Sequence, residues 1–183
     1  MIFFLAWTTG CSSAVSLGLA GDATFQIVRG QGFGPKEQGG GGANIYLLFP
    51  LNTWLRLGAS FGLAEVVPSD TTGGFVYRGY GVGALGIFVE AAGNLGSWNG
   101  VGAFEAGGQL GANADWAAYQ YTTLYFFYPE VMAGGFIGLR FAGLPDLQLR
   151  LSVPFKIQLR RDLDYSLSAA ISLGASYSFG GSR

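Results

Sequence analysis

The sequence predicts an all-β fold: a closed antiparallel up-and-down transmembrane β-barrel of about eight strands. Three observations lead there. Half of the 183 residues are hydrophobic while 11% are charged, against about 25% charged in an ordinary soluble domain. The sequence offers no uninterrupted run of about 18 apolar residues from which to build a spanning helix, so a closed barrel is the remaining way to cross a bilayer. Long segments also alternate with period 2, the signature of strands with two different faces.

The alternation is sharpest toward the C-terminus. Leu147, Leu149, Leu151, Val153, Phe155, Ile157 and Leu159 share one face, and Gln148, Arg150, Ser152, Pro154, Lys156 and Gln158 share the other. The next run repeats the form. Tyr165, Leu167, Ala169, Ile171, Leu173, Ala175, Tyr177 and Phe179 oppose Asp164, Ser166, Ser168, Ala170, Ser172, Gly174, Ser176 and Ser178. A helix would scatter these residues around its circumference. Val15 to Ile27 and Leu55 to Leu63 sort in the same way. Ala43 to Phe49, Phe75 to Val89, Val101 to Ala112 and Thr123 to Leu139 alternate less cleanly, which brings the count to about eight. The expected connections are Arg29 to Gly42, Pro50 to Asn52, Glu65 to Gly74, Glu90 to Gly100, Asn113 to Thr122, Ala142 to Asp146 and Arg160 to Leu163. They tend to alternate between long and short, as in membrane barrels with long loops at one end and tight turns at the other. Gly39 to Gly42 reads as a flexible loop at the long-loop end.

Residues 15–179 form the expected barrel and 180–183 a C-terminal tail. Residues 1–14 read as a signal peptide or N-terminal extension: an apolar Met1 to Leu5 precedes small residues, with Ser12-Ser13-Ala14 as a cleavage site, although no basic residue precedes Arg29. Thr8-Thr9-Gly10-Cys11 bears a partial likeness to a lipoprotein processing site, with Thr8 where leucine is expected. Cys11 is the one cysteine, so an internal disulfide is excluded.

Charge inside the strands sets the candidate site. Asp22, Arg56, Glu105, Glu130, Arg150 and Lys156 lie opposite the apolar stripe. A lipid-facing arginine near the midplane would cost ~2–4 kcal/mol. These three acids and three bases are therefore expected to point inward and pair, as buried charges do. Aromatic residues gather where membrane interfaces would fall. Phe49, Trp54, Trp98, Phe141, Tyr177 and Phe179 mark one end; Trp116, Tyr119, Tyr121 and Tyr125 to Tyr128 mark the other.

The last strand, Leu173-Gly174-Ala175-Ser176-Tyr177-Ser178-Phe179, resembles the C-terminal signal of bacterial outer-membrane barrels, an alternating strand ending in a Tyr-x-Phe pattern. Here Gly180 to Arg183 follow the aromatic residue. Over about Ala14 to Phe179 the chain is similar to the small OmpA/OmpX/OmpW-like eight-stranded barrels. That resemblance implies a bacterial outer-membrane location, outer-membrane lipid as the surrounding partner, and recognition of Tyr177 and Phe179 by the barrel-assembly machinery. It also implies a non-enzyme, because outer-membrane hydrolases and acyltransferases of this shape rely on histidine.

The chain has no histidine, which removes histidine acid–base catalysis and histidine metal ligation. Gly58-Ala59-Ser60-Phe61-Gly62 matches a nucleophile elbow without the base that chemistry needs. Gly81 to Gly86 matches a dinucleotide fingerprint, but strand-like Ile87-Phe88-Val89 follows where a helix is required. No cofactor is implied, and a net charge of −1 gives no reason to expect nucleic acid. Three functions fit. The leading one is a structural or surface-interaction protein. The second is a narrow channel or a conduit for small or hydrophobic solutes, using Tyr46 and Tyr128. The third is a soluble calycin-like ligand-binding barrel, which would need polar outer faces in place of the apolar stripes.

Overall fold

The computed structural model describes residues 14–30, 33–68, 80–118, 125–158 and 163–180. They form β1 (Val15–Gly30), β2 (Phe33–Pro50), β3 (Leu55–Pro68), β4 (Tyr80–Trp98), β5 (Gly102–Ala118), β6 (Tyr125–Phe141), β7 (Leu144–Gln158) and β8 (Leu163–Phe179). Each strand pairs antiparallel with its sequence neighbours, and β8 closes onto β1. The expected transmembrane barrel is thus the observed fold. Residues 1–13, with Cys11 and with Ser12 and Ser13 of the expected cleavage site, lie outside the described residues, as do Tyr119, Tyr121 and Arg78, a charge within the expected Phe75 to Val89 strand.

The pairing fixes the shape of the barrel. From Leu17 it runs through Leu47, Ala59, Ile87, Ala112, Val131, Ile157 and Leu167 and returns to β1 at Ile27, ten residues beyond its start. Eight strands with that stagger tilt by about 40° and enclose an interior just wide enough for side chains to fill. Every residue on this path is apolar and belongs to the outward face.

That outward face explains why the strands form as they do. Leu19, Ile45, Leu63, Ile87, Leu110, Val131, Phe155 and Leu173, one from each strand, are exposed by between 46% (Ile45) and 66% (Ile87). A continuous apolar wall of this kind is unfavourable against water and matched by hydrocarbon. The soluble calycin-like reading needs polar outer faces and finds none across this belt. Exposed outward charge appears near one end, at Arg29, Glu37 and Glu65.

Val15, Phe179 and the connections 51–54, 99–101 and 142–143 share one end of the barrel, called here the terminal end; the other four connections share the distal end. The terminal turns are built locally. Asn52 Oδ1 accepts from the backbone N–H groups of Trp54 (2.9 Å) and Leu55 (2.7 Å). The 99–101 turn closes with Val101 N–H donating to the Trp98 carbonyl at 2.9 Å and places Gly100 at φ +80, a conformation that favours glycine.

Several sequence expectations need correction. Gly39 to Gly42 is not a flexible loop: it lies in β2, registered between Asp22–Phe25 of β1 and Ala64–Val67 of β3. The long Arg29 to Gly42 connection is therefore replaced by strand up to Gly30 and from Phe33. Four glycines argue against a strand by propensity, but ladder hydrogen bonds on both sides hold them. Glu90 to Gly100 is not a connection, because β4 runs to Trp98. Asn113 to Thr122 is strand as far as Ala118. In both segments small or polar residues interrupt the apolar alternation, while the strand pairing continues.

Candidate functional site

The inward faces carry even-numbered residues on β1 to β4 and β6 to β8, and odd-numbered residues on β5 from Glu105 to Asp115. This parity brings the polar residues of eight strands into one lumen. Asp22, Arg56, Glu105, Glu130, Arg150 and Lys156 all stand on it. The structure adds Glu90, which is 0% exposed, and Asp115, which is 4% exposed. Both fall in segments expected to be connections. A signal for each was present: Glu90 continues the inward phase of Gly86 and Phe88, and Asp115 that of Gly111 and Asn113.

The charges gather in two layers. In the terminal layer, Arg56 reaches Glu90 Oε1 through Nη1 at 2.9 Å and binds Glu105 through both guanidinium nitrogens, at 3.0 and 2.8 Å. Arg150 Nη1 contacts the other oxygen of Glu90, while its Nη2 donates to Gln109 Oε1 at 3.0 Å. Glu105 also accepts from Gln148 Nε2 at 2.5 Å, and the half-exposed Arg140 lies 3.4 Å from it. Glu90 thus bridges two arginines. Charge pairs this buried persist only when geometry is good and the remaining polar atoms find partners. Bidentate arginine–carboxylate geometry and the two glutamine amides supply both.

Immediately distal to this layer, aromatic rings project into the lumen. The Arg150 guanidinium lies 3.8 Å from the Phe136 ring centroid and 5.9 Å from that of Tyr46. Tyr46, Leu48, Phe88 and Met132 form the buried apolar cluster of the molecule. Tyr128, expected either in an interfacial girdle or as an inward aromatic beside Tyr46, is turned inward and buried.

The second layer is nearer the distal end. Lys156 Nζ lies 3.1 Å from Glu130 Oε1, which also accepts from Asn113 Nδ2 at 2.6 Å. Asp115 Oδ2 accepts from Gln158 Nε2, and Asp22 Oδ2 from Asn44 Nδ2, each at 2.7 Å. The pairing expected between three acids and three bases is therefore rearranged. Asp22 takes an amide, and Arg150 takes Glu90. Ser60 of the nucleophile-elbow match lines the lumen from β3, and Gly81 to Gly86 of the fingerprint match lie within β4. Among the described residues, no group of three His, Cys, Asp or Glu side chains is placed to hold a metal ion.

At the terminal end, Phe49, Trp54, Trp98, Tyr177 and Phe179 are exposed. The Tyr177 and Phe179 rings meet edge to face at 5.0 Å between centroids. At the distal end, Trp116 stands 6.0 Å from Phe61. Aromatic residues at both ends of an apolar belt are the interfacial anchors of membrane barrels.

These features define a class: an eight-stranded membrane-spanning β-barrel of outer-membrane type with a filled, charged lumen. Known structures share the fold. Neisserial surface protein A superposes with a TM-score of 0.57 at 13% sequence identity, covering 89% of this chain and 97% of that one. The attachment invasion locus protein Ail of Yersinia pestis gives 0.54 at 13% identity, covering 92% and 99%. Both are small outer-membrane barrels of eight strands. No protein-family model matches the chain, and no curated protein matches it in sequence.

Proposed function

We propose that this chain is a closed, non-conducting scaffold in the bacterial outer membrane, and that its distal connections make surface interactions. The observation that carries the reading is the terminal layer. Arg56, Glu90, Glu105, Gln148 and Arg150 are cross-linked across the lumen, with Phe136, Tyr46 and Phe88 stacked directly behind them. Binding residues tend to ride on loops carried by a rigid frame, and the distal connections 69–79 and 119–124 are the longest between strands. The names of the two similar barrels, an attachment invasion protein and a surface protein, agree with that kind of role. The test is conductance of the refolded barrel in a planar bilayer. A closed scaffold gives no steady conductance at either polarity. A steady ohmic current through the wild-type protein that changes in Arg56→Ala would establish the narrow-channel alternative instead.

The end of β8 supports a second proposal, that Tyr177 and Phe179 are read by the barrel-assembly machinery. Both rings are exposed at the terminal end of the closing strand. Phe179→Ala is expected to lower the amount of folded barrel in cells while leaving refolding from urea into detergent unchanged. An equal loss in both settings would mean that the ring acts through stability alone.

A further inference from the structure

We propose that the lumen on the distal side of the aromatic plug is a binding chamber for a short-chain diammonium cation. The inference goes beyond the scaffold reading and is independent of whether the barrel conducts.

A cavity of about 150 Å³ occupies this part of the lumen, lined among others by Asp22, Asn44, Ser60, Asn113, Asp115 and Lys156. A cavity of this size holds a molecule of about six heavy atoms, or about five waters. Each cation on its wall is already matched: Lys156 by Glu130 at 3.1 Å and Arg150 by Glu90. Two of its carboxylates are not matched in this way. Asp22 and Asp115 bond to the neutral amides of Asn44 and Gln158, and Oδ1 of each is buried with no hydrogen-bond partner. Asp115 is 96% buried, being 4% exposed. Lys156 faces both Asp22 and Asp115 but is shared with Glu130, so three carboxylates stand against its one ammonium and two buried oxygens keep no donor, which is costly. A further protonated amine supplies a donor and a second positive charge in a charge-assisted bond.

The same geometry selects the class of cation. A metal ion lacks a donor set here among the described residues, whereas N–H groups meet the orphaned oxygens directly. Asp22 is on β1 and Asp115 on β5, four strands apart in a closed ring of eight, so the two carboxylates stand on opposite walls. The Lys156 ammonium, held by Glu130 at 3.1 Å, donates to neither bare oxygen. A two-ended cation of about six heavy atoms spans the chamber.

The experiment is an NMR titration of the refolded, 15N-labelled chain in zwitterionic detergent, with 1,4-diaminobutane and 1-aminobutane at matched ionic strength. The diamine is expected to give saturable shifts at the amides of Asp22, Asn44, Asn113 and Asp115. It should bind about tenfold more tightly than the monoamine, since the second charge-assisted bond is lost in the latter. Asp22→Asn and Asp115→Asn should each reduce the diamine to the affinity of the monoamine. Lys156→Gln, which removes the resident cation, should tighten binding, and Glu65→Gln on the outer wall should change nothing. Equal affinity for the two amines, shifts that persist in both Asn variants, or no saturable shift at about 100 mM would overturn the proposal. If Asp115→Asn does not refold, Asp22→Asn and the comparison of the two amines decide the question.

Discussion

Glu90 stands where two arginines meet. Its oxygens take Arg56 on one side and Arg150 on the other, with no exposure to solvent. Removing it leaves two guanidinium groups facing each other at low dielectric. Loss of one partner from a buried charge pair costs about 3–5 kcal/mol. Glu90→Ala is expected to lose stability in that range, measured by urea unfolding in lipid vesicles with tryptophan fluorescence. Glu105→Ala should lose less, because Arg56 keeps Glu90. Equal and small losses in both variants would show that water enters the layer and screens it. The distal layer is built differently, with carboxylates held largely by amides. The lumen is therefore two electrostatic environments separated by a band of rings.

Pairing across strands explains how those rings fit. In the lumen, Tyr46 lies directly opposite Gly18, Phe88 opposite Gly58 and Phe136 opposite Gly107; on the outer face, Trp116 lies opposite Gly83 in the same way. In each pair the ring occupies the space that a Cβ on the glycine would need. The glycine is the socket for the ring, and aromatic cover in turn compensates a strand glycine that has no side chain to pack. Gly58→Val is expected to displace Phe88 and cost about 1–3 kcal/mol, the usual range for overpacking. Gly93→Val is the matched control, because nothing lies within 4 Å of an added Cβ there. A Gly58→Val variant as stable as wild type would mean that Phe88 has room elsewhere in the lumen.

This packing also shows how much was legible in sequence. Strands β7 and β8 could be read residue by residue, because large apolar and polar groups alternate without a break. The inward phase of Asp22, Arg56, Glu105, Glu130, Arg150 and Lys156 followed from the same alternation. The ends of β4 and β5 could not be read in this way. The outward positions where the alternation fades are Ala91 and Gly93 in β4 and Ala112 and Ala114 in β5, too small to signal a lipid-facing side. Gly39 to Gly42 hid the start of β2 for the same reason. The partner of each charge was illegible throughout, because it depends on the stagger between strands. Asn44 reaches Asp22, and Gln158 reaches Asp115, from residues far apart in sequence.

At the scale of the whole molecule, a single ring of paired strands does two jobs. Closure satisfies every strand edge, which a bilayer demands of any spanning sheet. The alternation around that ring then sends leucine, isoleucine, valine and phenylalanine outward and most strand charge inward, with Arg29, Glu37 and Glu65 outward near the distal end. The central claim is that this apolar wall faces hydrocarbon around a closed, cooperative barrel. The most direct measurement is the electrophoretic mobility of the detergent-refolded chain in SDS, unheated against boiled, with circular dichroism on the same sample. The account predicts a β-type spectrum and a clear mobility shift on boiling, since a closed barrel resists SDS until heat breaks its ladder. Identical mobility before and after boiling, together with solubility in the absence of detergent, would contradict it.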